Sequence, residues 1–388
     1  MKRALPRSIW VLGFVSLLMD VSSEMIHSLL PVFMVGALGA SALMVGMVEG
    51  VSEATALIVK VFSGALSDYL GKRKWLAVAG YGLGALSKPL FALATTSGAV
   101  LAARFTDRIG KGIRGAPRDA LIADLTSAEV HGAAYGLRQS LDTAGAVLGP
   151  LLGIALMLSL ANDFRAVFWF AVVPAFLAVG LLIAGVEEAS PREQVPTVRT
   201  PIHWQTLWQL DAAFWRVVAF GAMLALARFS EAFLILRAHE NGLADAYAPA
   251  VLILMNTVYA LTAYPAGRLA DRMSRRALLA TGVLVLVAAD VILAAGTALT
   301  GIALGIALWG LHMGLTQGLL SAMVADTAPA GLRGTAFGVL NFASGIAMLV
   351  ASVLAGLLWD EAGSQATFLA GAVFCCAALL ILARTSSR

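Results

Sequence analysis

Two short segments of this 388-residue chain read almost alike: Gly64-Ala-Leu-Ser-Asp68-Tyr-Leu-Gly71-Lys72-Arg73-Lys74 and Gly267-Arg-Leu-Ala-Asp271-Arg-Met-Ser-Arg275-Arg276. They lie 203 residues apart (64 to 267), about half the chain. Each falls where an apolar run of membrane-spanning length gives way to a basic turn, so the chain reads as two similar membrane-embedded halves. A second landmark agrees. Ala123-Asp124 with Gly132-Ala-Ala-Tyr-Gly136 recurs as Ala325-Asp326 with Gly334-Thr-Ala-Phe-Gly338, shifted by 202 (124 to 326) and with the Asp-to-Gly spacing of eight kept in both.

Hydrophobic residues make up 60% of the chain and charged residues 13%, with a mean hydropathy of +0.85. No soluble domain of this size carries such a surface, so lipid is the solvent for most of the chain. The two cysteines, Cys375 and Cys376, are adjacent in a late apolar run and point to neither a disulfide framework nor a thiolate metal site. Met1-Lys2-Arg3 before an apolar run from Ile9 has the outline of a signal peptide. No small-residue cleavage site closes it and the run continues past Pro31, so it reads as a retained first span.

Spans of about 20 residues are expected twelve times, at about 8–37, 42–66, 75–95, 98–124, 131–160, 164–186, 211–239, 245–266, 277–297, 300–325, 332–358 and 363–384. Both termini then share one side. Lys2, Arg3, Arg7, Lys72, Arg73, Lys74, Arg192, Arg199, Arg268, Arg272, Arg275, Arg276, Arg333, Arg384 and Arg388 fall on that face, against Arg165 and Arg237 opposite. The excess of positive charge makes it cytoplasmic. The one long polar stretch, Glu187 to Gln209 with Pro191, Pro196 and Pro201, reads as a linker. The expected fold is therefore an all-α membrane protein of twelve transmembrane helices in two pseudo-symmetric six-helix bundles, 1–186 and 211–388, joined by a cytoplasmic linker at 187–210.

Gly64, Leu66, Asp68, Gly71, Lys72 and Arg73 resemble the signature between spans two and three of the major facilitator superfamily of secondary transporters. Gly267, Leu269, Asp271, Arg275 and Arg276 resemble it again, with Ser274 in place of the later glycine. Span five carries Gly145-Ala-Val-Leu-Gly149-Pro150-Leu-Leu-Gly153, which is similar to the Gly-Pro motif of the family's proton-driven exporters. Asp107-Arg-Ile-Gly-Lys-Gly-Ile-Arg-Gly-Ala-Pro-Arg-Asp119 looks like a pattern from a bacterial branch of the superfamily. The resemblance covers the whole chain. It implies secondary active transport of a small solute by alternating access across a bacterial-type inner membrane, with proton-coupled export as the leading form. Proton-coupled uptake of a small anion, divalent metal transport and a non-transporting membrane sensor stay open beside it. The chain is expected to be monomeric, to need no cofactor, to bind no nucleic acid and to be no enzyme; the Gly-x-x-x-x-Gly-Lys-Ser/Thr loop of nucleotide hydrolysis is missing.

An aspartate at the cytoplasmic end of span two can rest against the positive end of span eleven near Arg333-Gly334 and hold that side shut. Gly64, Asp68, Gly71, Lys72 and Arg73 form the gating set of the first half, with Asp124. Gly267, Asp271, Arg275 and Arg276 form that of the second, with Asp326. The bland reading, that the basic run only fixes topology, leaves the recurring aspartates unexplained.

Span four is interrupted by Arg104, Asp107, Arg108, Lys111, Arg114, Arg118 and Asp119. At helical spacing they form one polar stripe, which cannot face lipid. Its candidate partners are Asp20 and Glu24 on span one with His27 a turn further, Glu49 and Glu53 on span two, and Asp142 on span five. Two readings stand: an ion-pair network that locks the first bundle, or a site where solute and protons compete for the same charges. For Asp20 and Glu24, one turn apart in mid-span, proton coupling is favoured, with Glu49, Glu53 and Asp142 next. Solute contacts are assigned to Arg104, Arg108, Lys111 and Arg138 in the first half. In the second they are assigned to Arg228 and Glu231, spaced to pair on span seven, and to Asn256, His312, Gln317 and Asn341, with Tyr259 a further hydrogen-bonding group. A lone histidine on an apolar helix is more often a satisfied core residue. In the metal reading, Asp20, Glu24, His27, Glu49 and Glu53 are the ligands, against which the nearby arginines argue. The 13 methionines read as adaptable packing.

Overall fold

A computed structural model describes residues 5–70, 73–127, 130–188, 210–270, 274–329 and 332–384. The helices in chain order are α1 (Arg7–His27), α2 (Leu30–Val32), α3 (Ala42–Leu70), α4 (Arg73–Leu93), α5 (Ser97–Leu125), α6 (His131–Ser159) and α7 (Phe164–Gly185). They continue as α8 (Ala212–Ala227), α9 (Ala232–Glu240), α10 (Ala250–Ala270), α11 (Arg275–Ala295), α12 (Leu299–Thr327), α13 (Arg333–Ala362) and α14 (Ser364–Arg384). The described residues contain no strand.

Polar side chains fix several helix starts by accepting from the free N–H groups of the first turn. Thr96 accepts from Ala99 N before α5, Asp163 from Arg165 N and Ala166 N before α7, Asp211 from Phe214 N before α8, and Ser274 from Ala277 N before α11. Twelve spans result among the described residues. Span one is α1 and α2 continued by a π-helical turn at Phe33–Ala37, and span seven is α8 with α9. Eleven spans are apolar enough to be recognised as such; α5, long enough but interrupted by charge, is the twelfth.

The duplication is kept in register. α4 and α11 start at 73 and 275 and end at 93 and 295, and α5 and α12 start at 97 and 299 and end at 125 and 327, a shift of 202 throughout.

The chain folds as two compact units. The first comprises residues 1–39, 51–197 and 245–250, and the second 40–50, 198–244 and 251–388. Ile9, Leu12, Val15, Met19, Tyr81, Leu121, Ile122 and Leu182 centre the core of the first. Leu210, Phe214, Val217, Val324, Ala336 and Leu340 form a core in the second. α4 and α5 approach closely because neither Gly80 nor Gly110 carries a Cβ, which at Gly80 would lie 2.8 Å from the Gly110 carbonyl oxygen. The start of α3 belongs to the second unit, where Asp360 accepts from Ala42 N at 3.0 Å and Leu43 N at 2.9 Å. Glu49, 2% exposed, therefore packs there, whereas Glu53 one turn on belongs to the first unit.

Span seven departs from the expected continuous helix. Arg228, with φ −104° and ψ 71°, closes α8, and Glu231 opens α9. The two residues flank a break instead of sharing a helical face. No glycine or proline lies between them, so the sequence carried no breaker signal.

Candidate functional site

The α5 stripe is buried. Arg104 is 1% exposed, Asp107 3%, Arg108 4% and Arg114 5%, while Lys111 is exposed. A charge in such a place needs a partner. Asp107 has one that the stripe did not reveal: Lys88 on α4 places Nζ 2.7 Å from Asp107 Oδ1 and donates to Ser23 Oγ on α1 at 2.9 Å. Ser87 Oγ donates to the same carboxylate oxygen at 3.4 Å. The signal for it was a lone lysine beside Pro89 in an apolar span.

Arg108, Arg114 and Arg118 of the stripe, and Arg138 of α6, also have partners. Arg108 Nη1 lies 3.5 Å from Glu53 Oε1. The Arg114 guanidinium lies 4.7 Å from the centre of the Tyr81 ring, whose hydroxyl is 3.2 Å from Ser16 Oγ. Arg118 donates to the same Ser16 Oγ at 3.2 Å and to Asp119 at 3.2 Å. Arg138 Nη1 reaches Asp142 Oδ2 at 2.8 Å, one turn along α6.

Asp20 and Glu24 lie where α1 meets α6, and the Gly-Pro motif makes that contact. A Cβ on Gly145 would lie 2.9 Å from Asp20 Cβ, and one on Gly149 would lie 3.0 Å from Glu24 Cβ. Gly153 lies nearer Leu29 and Met25, and Pro150 is buried in the same helix. Asp20 lies in the field of Asp142, Arg114, Lys111 and Glu24. Glu24 Oε2 lies 3.4 Å from His27 Nδ1, and its carboxyl feels Lys111 and Arg108. The first unit thus gathers Asp20, Glu24, Glu53, Arg108, Lys111, Arg114 and Asp142 into one charged layer, with Arg138 joined to it through Asp142 and Arg104 one turn along α5 beside Asp107 and Lys88. Among the described residues no three His, Cys, Asp or Glu side chains lie close enough together to hold a metal ion.

At the far ends of the same helices the duplication yields matched ion pairs. Arg73 Nη1 lies 2.8 Å from Asp124 Oδ2, and Arg275, at the equivalent position, pairs with Asp326. Lys74 Nζ donates to the carbonyl of Ile183 at 3.0 Å, as Arg276 does to that of Ala383. Gly64 faces Ala116 on α5, and Gly267 is exposed. Gly71, Lys72 and Asp271 lie outside the described residues, as do the side chains of Asp68 and Arg333 and residues 189–209 of the expected linker.

In the second unit His312 is 0% exposed and its Nδ1 lies 2.8 Å from the Gly282 carbonyl. A carbonyl only accepts, so Nδ1 carries the hydrogen and Nε2 is an acceptor. Asn256, Gln317 and Asn341 are half-buried on α10, α12 and α13. Arg237 on α9, expected as a loop charge, is 5% exposed and donates to Leu293 O at 2.9 Å, Gly296 O at 2.8 Å and Ser364 Oγ at 2.7 Å. It ties α9 to the end of α11.

The Major Facilitator Superfamily model matches residues 12–254 and 218–388. An uncharacterized MFS-type transporter, MJ1317 of Methanocaldococcus jannaschii, is 33% identical over 387 residues, covering 98% of this chain and 95% of the relative. The inner membrane transport protein YajR of Escherichia coli is 26% identical, covering 95% of this chain and 80% of that protein. The multidrug resistance protein MdtH of Photorhabdus laumondii is 31% identical over 50% of this chain and 47% of its own. Among solved structures, a point mutant of the nucleoside transporter NupG superposes with a TM-score of 0.82 at 13% identity, covering 98% of this chain and 100% of that one.

Proposed function

Since the chain belongs to the major facilitator superfamily, we propose that it exports a small solute in exchange for protons by alternating access, with Asp20 and Glu24 as the proton-exchanging carboxylates. The observation that carries this reading is the seam at which Gly145 and Gly149 bring the α6 backbone against Asp20 and Glu24. Two carboxylates one turn apart, beside Asp142 and within the field of Arg108, Lys111 and Arg114, have their charge balance set by small displacements of α1 against α5 and α6. A carrier needs such a balance to link proton exchange to a change of state.

The names of relatives are compatible with this reading, YajR being an inner membrane transport protein and MdtH a multidrug resistance protein. Lys111, with its exposed side chain, is the α5 cation available to a solute, which favours an anion or zwitterion. Arg108 lines the same layer with Arg104 one turn along α5, and Arg228, Glu231, Asn256, His312, Gln317 and Asn341 are the second unit's contacts. The Arg73–Asp124 and Arg275–Asp326 pairs stabilise the state closed at their side. Both termini are cytoplasmic, and the carrier works as a monomer.

The test is counterflow in proteoliposomes. A dye-exclusion screen first identifies a transported compound, and its flux is then measured against an imposed pH gradient with and without a protonophore. Flux that ignores the gradient would sink the exchange mechanism.

A further inference from the structure

The duplication sets Asp290 of α11 where the first unit has Lys88 of α4, and Trp309 of α12 where it has Asp107 of α5 (88 to 290, 107 to 309). In the first unit those two positions hold the buried ion pair at 2.7 Å. In the second the acid has taken the place of the lysine and an indole the place of the acid, so the counter-charge is gone. Asp290 is 0% exposed and neither of its carboxyl oxygens has a hydrogen-bond partner. The Trp309 indole N–H, on a side chain 1% exposed, has none either.

The surroundings are apolar. A Cβ on Gly371 of α14 would lie 2.7 Å from Asp290 Oδ2 and 3.1 Å from Phe229 Cε1. Phe229, in the break between α8 and α9, packs on Trp309 with ring centres 5.4 Å apart and on Phe368 at 5.5 Å. The ionisable groups on the elements around Asp290 are engaged elsewhere or uncharged. Cys375, one turn past Gly371, is a buried thiol within electrostatic reach. His312 bonds Gly282, two turns back along α11. Arg237 donates to Glu240, Ser364 and the carbonyls of Leu293, Ala294 and Gly296. Arg228, beside Phe229, has no hydrogen-bond partner at its buried Nε and lies in the field of Glu231 and Tyr259, and no cation is among the groups acting on Asp290.

An ionised carboxylate in such a setting is opposed by the whole cost of its lost hydration, and without a charged partner it has to be neutralised by a bound cation or a proton. A metal ion needs several oxygen ligands, which this enclosure does not gather; a proton needs one. We propose that Asp290 is a proton-binding site of the second unit, separate from the Asp20 and Glu24 pair. Release breaks the carboxyl O–H bond and hands the proton to water, so it requires water to reach the seam between α11, α14 and the α8–α9 break. Opening of that seam and loss of the proton are therefore one event.

Infrared spectroscopy of purified protein labelled with ¹³C at the aspartate carboxyls tests this without any transport assay. The expected result at neutral pH is a label-sensitive carbonyl stretch of a dry, protonated carboxyl, lost in Asp290→Asn and Asp290→Leu and kept in Asp20→Asn. A band absent from the wild type, or unchanged in the Asp290 variants, overturns the proposal, as does a band erased by sodium chloride but not by choline chloride. Should both Asp290 variants fail to fold, Trp309→Lys decides: it restores the charge pair of the first unit with acid and base exchanged. That substitution is expected to erase the band, and a folded variant that keeps it overturns the proposal. Persistence of the band in Asp20→Asn keeps the outcome independent of the coupling pair.

Discussion

At Lys88 the cost of a charge inside the membrane is open to direct measurement. Its ammonium sits 2.7 Å from Asp107, with side chains 1% and 4% exposed, so Lys88 alone is a buried charge without compensation and Asp107 alone keeps only the field of Arg104, Arg108 and Arg114. Asp107→Asn or Lys88→Met is expected to cost about 3–5 kcal/mol of stability, read as a large fall in the thermal midpoint of detergent-solubilised protein. The double substitution Lys88→Met with Asp107→Leu removes both charges and is expected to recover most of that loss and to transport normally. A double variant as unstable as the singles would mean that the pair does more than neutralise itself. Lys88 is also a residue whose role the sequence does not disclose. The α5 stripe was visible because five cations and two acids at helical spacing break an apolar run. Lys88 was a single charge in another span, and nothing in one dimension says that its ammonium meets Asp107. The same limit applied to Asp290, whose significance lies in a partner it lacks.

Helices carry the next level of design, because the charged layer exists only if α1, α5 and α6 approach closely enough to share it. At Gly149 a Cβ would lie 2.8 Å from the Val21 carbonyl oxygen and 3.0 Å from Glu24 Cβ. Gly149→Val is therefore expected to push α6 off α1, with an overpacking cost of about 1–3 kcal/mol. Transport should fall more steeply than the midpoint, since Asp20 and Glu24 leave their neighbours. Equal flux from Gly149→Val and wild type at matched abundance would show that the seam is packing alone. The ion pairs at the helix ends act more weakly. Arg73 and Asp124 are 25% and 34% exposed, so their attraction is worth about 0.2–1 kcal/mol. Arg73→Ala is then expected to slow flux by no more than about fivefold, and exchanging the two residues to restore it. Failure of the exchange to restore flux in a stable protein would assign Arg73 to its other bond, to the Ala120 carbonyl at 3.1 Å. At this scale the sequence was most legible. Apolar length and basic turns marked the spans, and the repeat set their register; the capping side chains at Thr96, Asp163, Asp211 and Ser274 came only with the structure. The break at Arg228–Glu231 was not legible, since it is imposed by packing of Phe229 and Phe233 among Trp309, Trp359 and Phe368 and leaves no breaker residue behind.

For the whole molecule the proposed exchange of solute for protons has to be built from two units that supply different materials. The first concentrates ionisable groups around Asp20 and Glu24; the second is apolar around a few isolated polar residues. Coupling by the first unit demands that its carboxylates change protonation as the carrier changes state. Glu24→Gln fixes one of them in a neutral form while leaving the side chain's size nearly unchanged. The expected outcome is loss of concentrative transport driven by an imposed pH gradient. Binding of the same solute to the purified variant should persist, as should exchange between equal pools, because neither requires net proton movement. Asp20→Asn should behave alike if one proton is shared across the pair, which lies one helical turn apart and resists carrying two charges. The decisive variant is the double amide. If the pair is the coupling site, its solute flux is indifferent to the gradient while the wild type is not. A double variant still driven by the gradient would move the site, with Glu49, Glu53 and Asp142 next in line. If binding also fails in the single variants, the carboxylates hold the solute itself, and gradient dependence has to be sought at another group.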